Sequence, residues 1–168
     1  MALKQDFQIG NSFDSQTLSF GHAKKVWRRI DEQLPGGYRV KNMSDFASAG
    51  LIQAGMAVVK DTTNGADARD VKVVTWAEIT TALTPTGSPA VAPGIDSLNI
   101  IGFIQEDVPV VRHGTSPNYT YNYGTCNIVV KGELYGYMFG DTVTNATTFS
   151  AALKGMTQKN GLSIRVID

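Results

Sequence analysis

Few side chains in this chain are of types that do chemistry: His22, His113, Cys126 and the adjacent pair Glu106-Asp107. A metal centre needs imidazole, thiolate or carboxylate donors at short, regular spacing, and neither histidine stands at such a spacing from another histidine, the lone cysteine or paired carboxylates. Two carboxylates sharing acid–base work must face one bond, yet neighbours on an extended strand project to opposite faces, which argues against Glu106 and Asp107 acting together. A Cys126–His113 nucleophile pair would depend on the fold bringing distant residues together. The position of Cys126 at the head of a β-type run also fits a small buried hydrophobe. No Gly-x-Ser-x-Gly, phosphate-binding loop or dinucleotide fingerprint occurs. The expectation is a non-enzyme without catalytic residues, cofactor or metal, whose function lies in its surfaces.

Composition points the same way. The 15 basic and 15 acidic side chains cancel, which argues against nucleic acid or an anionic membrane as the main partner. Any charged partner must be met by a local patch. Charged residues make up 18% of the chain, below the roughly 25% usual for soluble domains. With 17 glycines, this suits a turn-rich β fold with part of its surface covered. A single cysteine excludes an intrachain disulfide framework. No window reaches the ~18 apolar residues of a membrane span, and the amino terminus does not read as a secretory leader, so cytosolic synthesis is expected.

The elements that must position any surface are organised around two runs, Leu98–Val108 and Thr125–Tyr135. Each is rich in β-branched and aromatic residues and is interrupted by a glycine, as a buried strand entering a bulge would be. Before them, Ala57–Lys60 and Val71–Thr75 read as a hairpin around Asn64-Gly65. Thr75 with Glu78 reads as the capping box of a short helix over 75–83. Thr84–Asp96 holds three prolines and reads as loop. Asn145–Lys154 reads as a second helix and Leu162–Ile167 as the last strand.

The first 49 residues read differently. Residues 1–20 carry Leu3, Phe7, Ile9, Phe13, Leu18 and Phe20 without a sustained period, as in an extended arm. Solvated tails are poor in aromatics, so this segment either docks on another chain or packs as a strand on its own domain. Gly21–Leu34 places Ala23, Val26, Trp27, Ile30 and Leu34 at helical spacing and is stopped by Pro35-Gly36-Gly37, which predicts an amphipathic helix. Its other face would present Lys24, Lys25, Arg28 and Arg29, either as a solvated face or as a patch meeting an acidic protein surface. Tyr38–Asn42 is a strand candidate and Met43–Ala49 reads as a linker, which sets a boundary between an arm of residues 1–49 and a β-rich domain of residues 50–168. Arg112–Gly124 carries Tyr119, Tyr121 and Tyr123 in alternation, consistent with an exposed inter-subunit interface or with ordinary strand residues.

Four segments, in order, carry a resemblance: Ala54-Gly55-Met56-Ala57-Val58-Val59; Ile100-Ile101-Gly102-Phe103-Ile104-Gln105-Glu106-Asp107-Val108; Val129-Val130-Lys131-Gly132-Glu133-Leu134; and Gly161-Leu162-Ser163-Ile164-Arg165. Together they resemble the head decoration proteins of tailed bacteriophages, the lambda-type trimeric capsid stabilisers, and the related base domains of head fibres. Residues 1–49 and the loops Thr84–Asp96 and Arg112–Gly124 depart from the compact pattern of that family, although an amino-terminal arm reaching onto the capsid is a family feature. The resemblance implies a mainly β, sandwich- or barrel-like decoration domain with one or two short helices. It also implies a homotrimer on the capsid exterior, assembled in the host cytoplasm, with the major capsid protein as partner. The expected capsid contacts are Phe7, Ile9, Phe13, Lys24, Lys25, Trp27, Arg28 and Arg29. The alternative is a head fibre component that binds host-surface carbohydrate or another receptor through the tyrosine loop, with a head fibre protein as a further possible partner.

Overall fold

A computed structural model describes residues 5–6, 17–18, 26–83, 95–114, 117–135 and 162–167. The strands are β1 (Gln5–Asp6), β2 (Thr17–Leu18), β3 (Trp27–Gln33), β4 (Tyr38–Val40), β5 (Leu51–Ile52), β6 (Ala57–Lys60), β7 (Asp70–Val73), β8 (Ile100–Ile104), β9 (Val108–Pro109), β10 (Arg112–His113), β11 (Thr120–Tyr121), β12 (Gly124–Cys126), β13 (Ile128–Tyr135) and β14 (Ser163–Ile167). One α-helix, α1 (Trp76–Leu83), and two 3-10 turns, Met43–Phe46 and Ile95–Leu98, complete the described elements. The mainly β expectation holds: the described residues fold as a curled, half-barrel sheet with one short helix.

The main sheet has eight strands, in the order β12-β4-β7-β6-β8-β13-β14, with β3 also paired to β13. Its centre is the pairing of the two glycine-interrupted runs, Ile128 opposite Ile104 and Val129 opposite Phe103. Around this pairing both faces of the sheet are buried, with successive side chains pointing to opposite sides. Ala57, Phe103 and Val129 enter one core with Trp27, Ile79 and Leu134, while their neighbours Val58, Ile104 and Ile128 enter a second core with Met43, Phe46 and Val110. Double-sided burial explains why β6, β8 and β13 read as nearly continuous apolar runs. The glycine of β8 is set by a close approach: a Cβ on Gly102 would lie 2.2 Å from Ile128 Cγ2 and 2.8 Å from the Val129 carbonyl oxygen.

Helix α1 begins on the expected capping box. The Glu78 carboxylate accepts from Thr75 N–H at 2.7 Å, and Thr75 Oγ1 accepts from Glu78 N–H at 3.3 Å, which satisfies donors that a helix start leaves open. The β6–β7 hairpin closes with Val58 opposite Val73 and Lys60 opposite Val71. Asp61 organises its long loop by accepting from both the N–H and the hydroxyl of Thr63, at 2.9 and 2.6 Å.

Three expectations for the first 49 residues are corrected. Trp27–Gln33 is a strand, not part of an amphipathic helix. The step from Trp27 to Ile30 that imitated a helix comes from a bulge. Along β13, Leu134 faces Trp27 and Glu133 faces Arg29, leaving Arg28 extra; then Gly132 faces Ile30 and Lys131 faces Glu32, leaving Asp31 extra. The extra Arg28 lengthens the inward spacing from two to three, while Leu34, the next apolar residue of the pattern, lies past the end of the strand. Second, Met43–Ala49 is no linker: Met43 and Phe46 are buried in the second core. Third, the boundary at residue 49 does not exist, because β3 pairs with β13, and β4 pairs with both β7 and β12. Of residues 1–25, the described parts form a two-stranded ladder, Gln5 opposite Leu18 and Asp6 opposite Thr17. The candidates Phe7, Ile9, Phe13, His22, Lys24 and Lys25, and the helix expected over 145–154, lie outside the described residues.

Candidate interaction surface

The expected contact residues Trp27, Arg28 and Arg29 are adjacent in sequence, and the fold separates them. Trp27 is buried, and its indole Nε1–H donates to the Ile104 carbonyl at 3.0 Å. It is a core residue and leaves the contact set. Arg28 and Arg29 both remain outside, with side chains 56% and 63% exposed. On a regular strand one of two consecutive residues would turn toward the core, and the bulge at Arg28 is what aims both guanidiniums outward.

Strand β13 supplies the centre of this face. Val129 pairs with both Phe103 and Gln33, and Lys131 to Leu134 lie opposite both β3 residues and β14 residues. Strand β3 therefore runs along one edge of β13 while β8 and then β14 succeed each other along the other. The approach of β3 is tight: a Cβ on Gly132 would lie 2.5 Å from the Arg29 carbonyl oxygen. Glu133 then stands between two flanks, opposite Arg29 on β3 and opposite Arg165 on β14.

The Glu133 carboxylate, only 13% exposed, lies 3.7 Å from Arg28 Nη1 and 3.5 Å from Arg165 Nη1, and the Arg165 side chain is 78% exposed. Arg29 is held by Asp31 through two bonds, Nε to Oδ1 at 2.8 Å and Nη2 to Oδ2 at 3.1 Å. That hydrogen-bonded pairing, with the charge of Asp31 and then of Glu133, pushes the Arg29 guanidinium further above its ordinary range. Lys131 is exposed on the same side of β13. Sequence reasoning missed Arg165. The alternation Leu162-Ser163-Ile164-Arg165 placed it on a polar face, but only the register of β14 on β13 brings it to Glu133.

The tyrosines behave unequally. Arg112 lies opposite Tyr121 in the β10–β11 ladder, and its guanidinium sits 4.6 Å from the Tyr119 ring centre. Tyr121 packs half-buried against the second core. Tyr123 is 63% exposed, and Lys41 Nζ lies 4.3 Å from its ring centre. Two of the three rings thus already carry a cation on one face.

Cys126 is buried, and burial pushes its thiol up to about 11, the reverse of what a thiolate nucleophile needs. An open hollow of about 230 Å³ is lined by Gly37, Glu106, Asp107, Val108, Thr125, Cys126 and Asn127. Within it, Asp107 Oδ1 accepts the Ala54 N–H at 2.8 Å, which gives that carboxylate a role in anchoring the turn before β6. Among the described residues no group of three or more histidine, cysteine or acidic side chains could hold a metal ion. Compared with known protein families, curated proteins and solved structures, the chain matches none.

Proposed function

We propose that the chain is a virion structural protein that binds the outer surface of a tailed-phage capsid as a decoration protein and stabilises the head shell, with no catalytic activity. One observation supports the reading most. The four segments that resemble the decoration family fall on β6, β8, β13 and β14, which are consecutive neighbours in the sheet and in the same order. Segments scattered over unrelated parts of the fold would not support a common origin in this way. The proposed partners are the major capsid protein and two further copies of the chain, on the exterior of a particle assembled in the host cytoplasm.

In this reading Phe7, Ile9 and Phe13 bury apolar surface on the capsid, and Arg28 and Arg29 meet capsid carboxylates, for which the planar guanidinium is suited. Ligation that favours the assembled shell stabilises it by mass action, by about 2.7 kcal/mol per site when the protein is at a hundred times its dissociation constant. The fibre reading ranks second, because stacking against a sugar asks for open aromatic faces and Tyr119 and Tyr123 each already carry a cation.

The test is the solution mass of the protein, alone and after mixing with empty shells of the cognate capsid protein. A trimer that loads stoichiometrically onto shells supports the proposal, and a monomer that ignores them overturns it. Deletion of residues 1–25, which spares the buried Val26 and Trp27, is expected to leave the sheet folded and to abolish shell binding.

A further inference from the structure

The Glu133 corner gathers cationic donors that its own carboxylates do not use up. A guanidinium offers five N–H donors, yet among the described residues Arg28 and Arg165 each contact only the shared Glu133 carboxylate, at 3.7 and 3.5 Å. Arg29 directs one edge at Asp31 and keeps a side chain that is mostly in solvent. These three arginines come from the two strands flanking β13, so they bracket a strip along its outward face. Lys131 adds a fourth cation to that strip. Beyond β13, no other strand pairs with β3 or β14 among the described residues.

We propose that Arg28, Arg29 and Arg165, gathered around Glu133, form a docking surface for an extended polypeptide segment that carries carboxylates. Charge complementarity selects the partner. Glu133 offsets the repulsion between the guanidiniums of Arg28 and Arg165, whose side chains are mostly exposed and open to a partner carboxylate, which can accept two parallel bonds. The interleaved Asp31, Glu32 and Glu133 oppose a continuous phosphate backbone, and the neutral whole-chain charge supplies no long-range attraction for one. Those carboxylates would equally repel an unbroken acidic run, so the strip matches a strand in which acidic side chains alternate with neutral ones, as cross-strand pairs do within a sheet. This names the chemistry of the capsid contact and rests on the decoration reading for its biological setting, but the binding itself is tested without capsids.

The experiment is fluorescence anisotropy of a labelled peptide of alternating glutamate and threonine titrated with the full chain at low salt, alongside a single-stranded oligonucleotide of matched charge. The wild type is expected to bind the peptide in a salt-sensitive manner and more tightly than the oligonucleotide. Arg28→Ala and Arg165→Ala are each expected to weaken peptide binding by about tenfold. Lys60→Ala, which removes the same charge at an exposed position on β6, should leave binding unchanged. Arg165→Lys should restore less than half of the lost binding free energy if two-pronged recognition operates. Circular dichroism verifies that each variant is folded, as expected for exposed side chains. Equal binding by wild type and arginine variants, an equal loss in Lys60→Ala, or tighter binding of the oligonucleotide overturns the proposal. Shell binding that survives a failed peptide titration would leave the decoration reading standing and remove only this surface, whereas peptide binding without shell binding would do the opposite.

Discussion

The two ends of the sheet both hold aspartates or glutamates among arginines and lysines, but they use them differently. At the β4–β7–β6 end, Asp70 is buried and accepts from Arg39 Nε at 2.8 Å and from the Asp67 N–H at 3.0 Å, with Lys41 at 3.7 Å. Asp61, also buried, accepts from Thr63 twice and pairs with Lys72 at 3.0 Å. The Thr63 hydroxyl and N–H lead at Asp61 and the Asp67 N–H leads at Asp70, so these carboxylates tie loops to strands. At the β3–β13–β14 corner a single carboxylate is shared by two exposed arginines through longer contacts that run from strand to strand. Saturation by local donors, more than residue type, separates a structural ion pair from a docking one.

The sharpest way to break the comparison is Gly132→Val. Its side chain has no room against the Arg29 carbonyl, so β3 must move away from β13 at a cost of about 3 kcal/mol. Urea unfolding should show that loss, and binding of the acidic peptide should vanish with it. Next comes Asp70→Ala, which leaves Arg39 only its contact with Asp67 at 3.3 Å and removes the acceptor for the Asp67 N–H that closes the 61–70 loop. Its thermal midpoint should fall on the order of 5 °C, with peptide binding intact.

Acid separates the two ends by a different route. Hydrogen bonds from Thr63, with Lys72, hold the Asp61 carboxyl down to about 2, and the Asp67 N–H, with Arg39 and Lys41, lowers Asp70. A carboxyl depressed in the folded state is protonated first in the unfolded chain. Its contribution is therefore present above the ordinary value of 3.8 and is lost as pH falls toward about 2. Stability should decline over that window, and Asp61→Asn should flatten the decline; an unchanged slope would remove Asp61 as its source. The smallest effect is expected at the other end, where Arg28→Ala or Arg165→Ala should change stability by no more than about 0.5 kcal/mol. A larger loss in either would mean that the corner is structural after all.

The β-rich class, the pairing of the two glycine-interrupted runs, the 57–60/71–73 hairpin and the Thr75 cap were all legible from local pattern, because period-two alternation and turn chemistry act over a few residues. What was hidden depends on pairing partners. Trp27 to Leu34 looked helical because a bulge at Arg28 set Trp27 and Ile30 three apart and Leu34 follows just past the strand, and a bulge is defined against the neighbouring strand, which the sequence does not display. Met43 and Phe46, among small polar residues, gave no periodic sign of their burial. Of the surface, Arg28 and Arg29 stood out as a dense basic cluster, whereas Arg165 entered only through the parallel register of β14 on β13.

The flanking of β13 by β3 and β14 also bears on synthesis. The amino-terminal flank leaves the ribosome long before β13, and the opposite flank follows well after it, so two of the ladders closing this corner join distant parts of the chain. Non-local pairing of this kind is slow and is completed late. At about 5–20 residues per second, a nascent chain passes seconds with its central strand made and one edge uncovered. A polypeptide arrested before Ser163 would contain Arg28 and Arg29 but neither Arg165 nor the strand that carries it. The full arginine corner therefore exists only once β14 has been made and paired with β13.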